Sequence, residues 1–96
     1  MITIQSTVAV SPGLTAANLG DEAVLLDANS GRYYGLNELG ARIFELIRTP
    51  SLVEEVKSTL LQEYKVEEAQ LEKDLLEFLN GMAQRNLIEM QNEPAE

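Results

Sequence analysis

The sequence predicts an α+β domain of winged helix-turn-helix-like order, with three short antiparallel amino-terminal strands followed by three helices. Three observations carry this. Up to Leu36 the residues are mostly β-branched, small or aromatic, and the turn signals Pro12-Gly13, Gly20-Asp21 and Asn29-Ser30-Gly31 divide them. From Asn37 onward the apolar residues switch to helical spacing. The 96 residues, 45% of them hydrophobic, suffice for one modest core and not for two. Residues 1–90 are therefore read as a single domain, and 91–96, which contain Pro94, as a flexible acidic tail.

The turn signals place strands at Leu14 to Leu19, Glu22 to Asp27 and Arg32 to Leu36, with Ile2 to Val10 as an additional extended segment. Between the second and third strands, Gly31 is free to take the positive φ that closes a hairpin. Asn37 caps a first helix bearing Leu39, Ile43, Phe44 and Ile47, which Pro50 ends. Ser51 and Glu54 have capping-box spacing ahead of a second helix with Val53, Val56, Leu60 and Tyr64 along one side. A third helix runs from Glu67 to Arg85 with Leu71, Leu75, Phe78 and Met82 inward, and Asn86 stops it in a left-handed conformation. Leu87-Ile88 then docks back on the core.

Composition removes most chemistry. The chain has no Cys and no His, so thiol nucleophiles, disulfides, thiolate metal sites and the commonest general base are all absent. No spacing among Asp21, Glu22 and Asp27 singles out an acid and base pair or a calcium loop, so we expect neither catalysis nor a metal or other cofactor. Sixteen acidic residues against seven basic ones give a formal net charge of -9, which repels nucleic acid. The amino terminus lacks the charged start and continuous apolar stretch of a signal peptide, and no run reaches the roughly 18 apolar residues of a membrane helix. A cytoplasmic protein without membrane contact is expected.

The stretch Glu22-Ala23-Val24-Leu25-Leu26-Asp27, a short loop, and Gly31-Arg32-Tyr33-Tyr34-Gly35-Leu36-Asn37-Glu38-Leu39-Gly40 resembles the PqqD family. Leu71, Asp74-Leu75, Phe78-Leu79 and Asn86-Leu87-Ile88 continue the likeness, which covers roughly residues 8 to 90 in one register. The resemblance implies a recognition element for precursor peptides that are made ribosomally and then modified. As a stand-alone chain it resembles the leader-binding proteins of lasso peptide pathways, with the chaperone of a radical enzyme in pyrroloquinoline quinone synthesis as the alternative. It further implies that a leader peptide adds as an extra strand to the edge of the third strand and packs against the third helix. The binding residues implied are Arg32, Tyr33, Tyr34, Gly35 and Leu36 on the strand, with Leu71, Asp74, Leu75 and Phe78 on the helix.

Strand addition is physically reasonable at that place, because an edge strand offers unpaired N–H and C=O groups and Arg32 to Leu36 contains no Pro. Alternation sends Tyr34 and Leu36 one way and Tyr33 the other, with the choice between core and surface left open. The plainer readings stand beside this one. The tyrosines also suit a core, the helical stripe is what any packed helix displays, Asp74 suits a solvated acid, and Arg32 suits an edge-protecting charge. The partners expected are a leader peptide and a separate leader peptidase or other maturation enzyme, with the chain a monomer or weak homodimer. An acidic adaptor favours a basic leader or a basic patch on the enzyme. A winged-helix transcriptional regulator is the rival from another class. Its recognition helix would set Lys73 and Arg85 against Glu67, Glu68, Glu72, Asp74 and Glu77, the wrong balance for phosphates.

Overall fold

A computed structural model describes residues 1–91 of the chain, so 92–96 of the expected tail lie outside the described residues. The elements follow in the order β1 (Thr7–Val10), β2 (Leu14–Leu19), β3 (Glu22–Asp27), β4 (Arg32–Leu36), α1 (Glu38–Leu46), β5 (Ser51–Leu52), α2 (Val53–Glu63), α3 (Glu68–Gln84) and β6 (Ile88–Met90). The three expected strands and three helices are thus present, and β1 occupies the second half of the expected Ile2 to Val10 extension. What the sequence did not suggest is a second sheet. Strands β2, β3 and β4 form one antiparallel sheet in that order, whereas β5, β1 and β6 form another.

The β2-β3-β4 sheet is held in register by its turns. Gly13, Gly20 and Gly31 all have φ between 71° and 90°, which closes each connection without the steric cost a side chain would meet. Asp27 accepts hydrogen bonds from the Asn29 amide and the Ser30 hydroxyl, each at 3.0 Å, and so rigidifies the hairpin before β4. Leu25 stands opposite Tyr34 and Ala23 opposite Leu36, so these four share the inner face. Ala23, Leu25 and Leu36 are buried there against α1, whose Ile43 and Phe44, with Ile47 just after it, belong to the same core cluster. The other face carries Thr15, Ala17, Leu19, Leu26 and Tyr33 and stays largely open to solvent.

The start of α2 corrects the expected capping box. Leu52 is the N-cap, and it makes no side-chain cap hydrogen bond. The Val53 and Glu54 amides instead donate to the carbonyls of Ser6 and Ile4, at 2.9 and 3.0 Å. With those orphan donors satisfied by the amino-terminal segment, Ser51 is released to pair with Val8 as part of β5, and its hydroxyl donates to the Leu46 and Thr49 carbonyls. The end of α3 follows the expected pattern. Asn86 has φ 61°, the Leu87 amide reaches the Met82 carbonyl and the Asn86 amide the Ala83 carbonyl, each at 3.0 Å. This is a Schellman stop, and it turns Leu87 and Ile88 into the core.

Two polar networks fix the helices. Lys57, 7% exposed, donates to Glu68 and Glu72 at 3.0 Å each, tying α2 to α3, and these carboxylates raise its ammonium pKa. Arg42 of α1 grips Glu63 at the end of α2 with two parallel hydrogen bonds, from Nε and Nη2, and this holds the Glu63 carboxyl below its ordinary value. The amino terminus is clipped to α3 by Asn80. Its amide oxygen accepts from Ile2 N at 2.9 Å, while its nitrogen donates to the Ile2 and Leu76 carbonyls. Substituting Asn80→Ala is expected to lower stability by about 1–2 kcal/mol, because several backbone partners lose their mate together. Urea unfolding measures this, and an unchanged midpoint would show that the clip contributes nothing.

Candidate functional site

Strand β4 is the last strand of its sheet, and among the described residues its second edge pairs with no backbone. A row of unpaired N–H and C=O groups therefore faces outward from Arg32 to Leu36. Helix α3 lies beside that edge and runs antiparallel to it. Phe78 sits against Gly40, beyond the strand's end, while Arg85 lines one cavity with Arg32 and Tyr34 at the strand's start. The space between strand and helix is a groove of about 450 Å³ lined by Tyr34, Leu36, Phe78, Gly81, Met82 and Leu87, with Tyr33, Gly35, Glu77 and Arg85 at its rim.

Each wall has a local cause. Tyr34 and Leu36 face inward because Leu36 pairs with buried Ala23, and the pleat sends every second residue to the same face. That settles the choice left open between the tyrosines. Tyr34 is half-buried against the core, whereas Tyr33 is 71% exposed on the opposite face. Phe78 reaches its place because residue 40 is glycine. A Cβ at Gly40 would lie 3.1 Å from the Phe78 ring and 3.2 Å from the Asn37 side chain. Asn37 is committed there, since its oxygen accepts from the Gly40 amide at 2.8 Å to cap α1. The Leu-Asn-Glu-Leu-Gly run after β4 thus starts a helix and makes room for the groove's aromatic floor.

The structure brings together Arg32, Tyr33, Tyr34, Gly35, Leu36 and Phe78 along one groove and its continuation. It places three other expected residues elsewhere. Leu75 is fully buried in the core, and Leu71 lines a separate depression of about 290 Å³ with Asn37, Glu38, Leu39, Tyr64 and Val66. Asp74 is exposed and accepts a hydrogen bond from Gln70 at 2.9 Å. Sequence reasoning did not place Glu77, Gly81 or Arg85 in the site, and it gave Met82 and Leu87 only a core role. Phe78, Gly81 and Arg85 sit at i, i+3 and i+7, one helical face beside the core stripe, and that spacing was the available signal. Gly35 offers open space where a side chain would go, so no packing within the chain requires glycine there.

Known proteins resemble the chain over most of its length. The family described as Coenzyme PQQ synthesis protein D (PqqD) matches residues 22–88, a span that contains every residue lining the groove. Among solved structures, the chain is similar to TbiB1 in complex with the TbiA(beta) leader peptide, at 33% identity and a TM-score of 0.79, covering 88% of this chain and 99% of that one. It is also similar to a lasso peptide synthetase B1 complexed with the leader peptide, at 25% identity and a TM-score of 0.69, covering 85% and 96%. No curated protein matches the chain.

The Gly40 contact makes a specific prediction. Gly40→Ala is expected to displace the Phe78 ring by a few tenths of an ångström. Its effect on stability is expected to be small, since the helix propensity gained, about 1 kcal/mol, offsets the crowding. Phe78 ring resonances and thermal unfolding together check this, and unshifted ring signals would contradict the contact.

Proposed function

The chain belongs to the PqqD family, and from that premise we propose that it is a non-catalytic leader-peptide-binding protein of lasso peptide biosynthesis. It captures the leader of a ribosomal precursor by strand addition to β4 and delivers it to a separate leader peptidase or other maturation enzyme. One observation carries the reading: the terminal strand has a free edge with an apolar groove directly beside it. In this reading residues 1–90 act as one recognition domain of winged-helix-like order, working in the cytoplasm as a monomer or weak homodimer. The third helix serves a peptide and not DNA, as its acidic balance favours.

Energetics explain why the groove must be apolar. Ordering five guest residues costs about 1–2 kcal/mol each, or about 5–10 kcal/mol in all. Ladder hydrogen bonds exchange for water at a net gain of only about 1 kcal/mol each, so they leave much of that cost standing. Burying about 200–400 Å² of apolar surface offsets the whole of it at about 25 cal/mol/Å², which two or three guest side chains on the Phe78, Met82 and Leu87 floor supply. Strand pairing gives the guest its path, and the floor gives most of the affinity.

Delivery then needs no catalytic group on this chain. Once the leader is held, the attached core peptide meets an enzyme bound to the same complex at an effective concentration of about millimolar for a short flexible tether. Titration calorimetry with synthetic leader peptides, among them the TbiA(beta) leader bound by the similar TbiB1, tests the reading. Phe78→Asp and Tyr34→Pro are expected to abolish binding, and Ala17→Lys, on the far strand, to preserve it, with circular dichroism confirming that each variant is folded. Unchanged affinity in folded Phe78→Asp would contradict the proposed groove.

A further inference from the structure

Resting on the leader-binding reading, we propose that the hairpin end of the groove is a carboxylate-recognition subsite made by Arg32 and Arg85, so that the bound leader segment places an aspartate or glutamate there. The observation is a local inversion of charge. The chain has seven basic residues against sixteen acidic ones, yet two of the seven line one cavity of about 500 Å³ that continues the groove past Tyr34. The other basic residues include Arg42 and Lys57, both held in salt bridges with glutamates. Among the described residues neither Arg32 nor Arg85 has a salt-bridge partner. Arg85 uses one donor on the Gly81 carbonyl, at 3.1 Å, and a guanidinium has five.

Among the described residues the only acid lining that cavity is Asp27, and both of its oxygens already accept hydrogen bonds from its own turn. Asp27, cross-strand from Arg32, keeps its charge and offsets one of the two arginines, which leaves the concavity with one uncompensated positive charge for an incoming anion. The net charge of -9 does not cancel this preference. The molecule measures 38 × 33 × 19 Å, whereas charges are screened beyond about 8 Å at physiological salt, so acids elsewhere on the molecule weigh less at this cavity than the two arginines and the one aspartate that line it. The expectation of a basic leader, drawn from net charge, is reversed at this one position.

The subsite also supplies something a strand ladder lacks. Backbone pairing is indifferent to sequence and repeats every two residues, so an added strand can slip. Arg32, Tyr34 and Leu36 share the groove face, and guest side chains meet them two residues apart. A guest acid at Arg32 with apolar residues two and four positions away satisfies all three in one register. Glu77 at the rim near Phe78 disfavours a second acid there.

Selection of randomised twelve-residue displayed peptides on the wild-type chain, and in parallel on Arg32→Glu/Arg85→Glu, tests this. Both arginines are exposed, and Arg32→Gln/Arg85→Gln serves if the reversed pair fails to fold. Wild type is expected to enrich Asp or Glu at one position, two and four residues from apolar ones. The reversed variant should enrich Lys or Arg at that same position with the apolar ones kept, and the neutral variant should lose the preference. Exchanging that acid for Gln in a selected peptide should weaken wild-type binding by about tenfold. Apolar enrichment without any acid preference on wild type, or the same peptides on every variant, would overturn the subsite and leave leader binding standing. No enrichment on wild type would overturn both.

Discussion

A terminal β-strand must be paired, covered or protected, and among the described residues nothing pairs with or covers the outer edge of β4. The fold keeps its edge open by topology. The segments that might have extended the sheet, β1, β5 and β6, assemble into a sheet of their own, and β1 sits at its centre. Helix α3 leaves room for a guest backbone beside β4, because Phe78, Met82 and Leu87 stand between helix and strand as a floor. The free edge of β4 and the apolar space next to it are therefore one feature, and the proposed recognition surface follows from it.

That floor is continuous with the interior. Leu36, Met82 and Leu87 are buried core residues that also line the groove, and Leu87 is brought there by the left-handed turn at Asn86. Such sharing couples the stability of the domain to the shape of its site, since neighbours in a close-packed interior respond to small volume changes. In the proposed reading it also confines the freedom to vary recognition to the rim, where Arg32, Glu77 and Arg85 are exposed. Polar ties remote from the groove, Lys57 with Glu68 and Glu72 and Arg42 with Glu63, hold α3 and α1 in position without entering it.

Much of this was legible in the sequence because local chemistry decided it. Turn glycines at 13, 20 and 31 delimit β2, β3 and β4, and Asn37 and Asn86 mark the start of α1 and the end of α3. Where tertiary partners decide, local signals mislead. Ser51 and Glu54 have the spacing of a capping box, yet the amides at the start of α2 find the carbonyls of Ile4 and Ser6, residues nearly fifty positions away. Strands of two and three residues, β5 and β6, are too short to show a period. The stripe of α3 hid a further distinction. Leu75 belongs to the closed core and Phe78 to the groove, although both are apolar at helical spacing, because periodicity identifies a buried face without saying what buries it.

The most direct measurement is residue-resolved amide hydrogen exchange of the chain with and without the leader peptide. The outward amides of Arg32 to Leu36 should exchange quickly in the free protein and become protected in the complex, with β2 unchanged. Binding that leaves β4 unprotected, or that protects β2 in its place, would contradict recognition by strand addition at this edge.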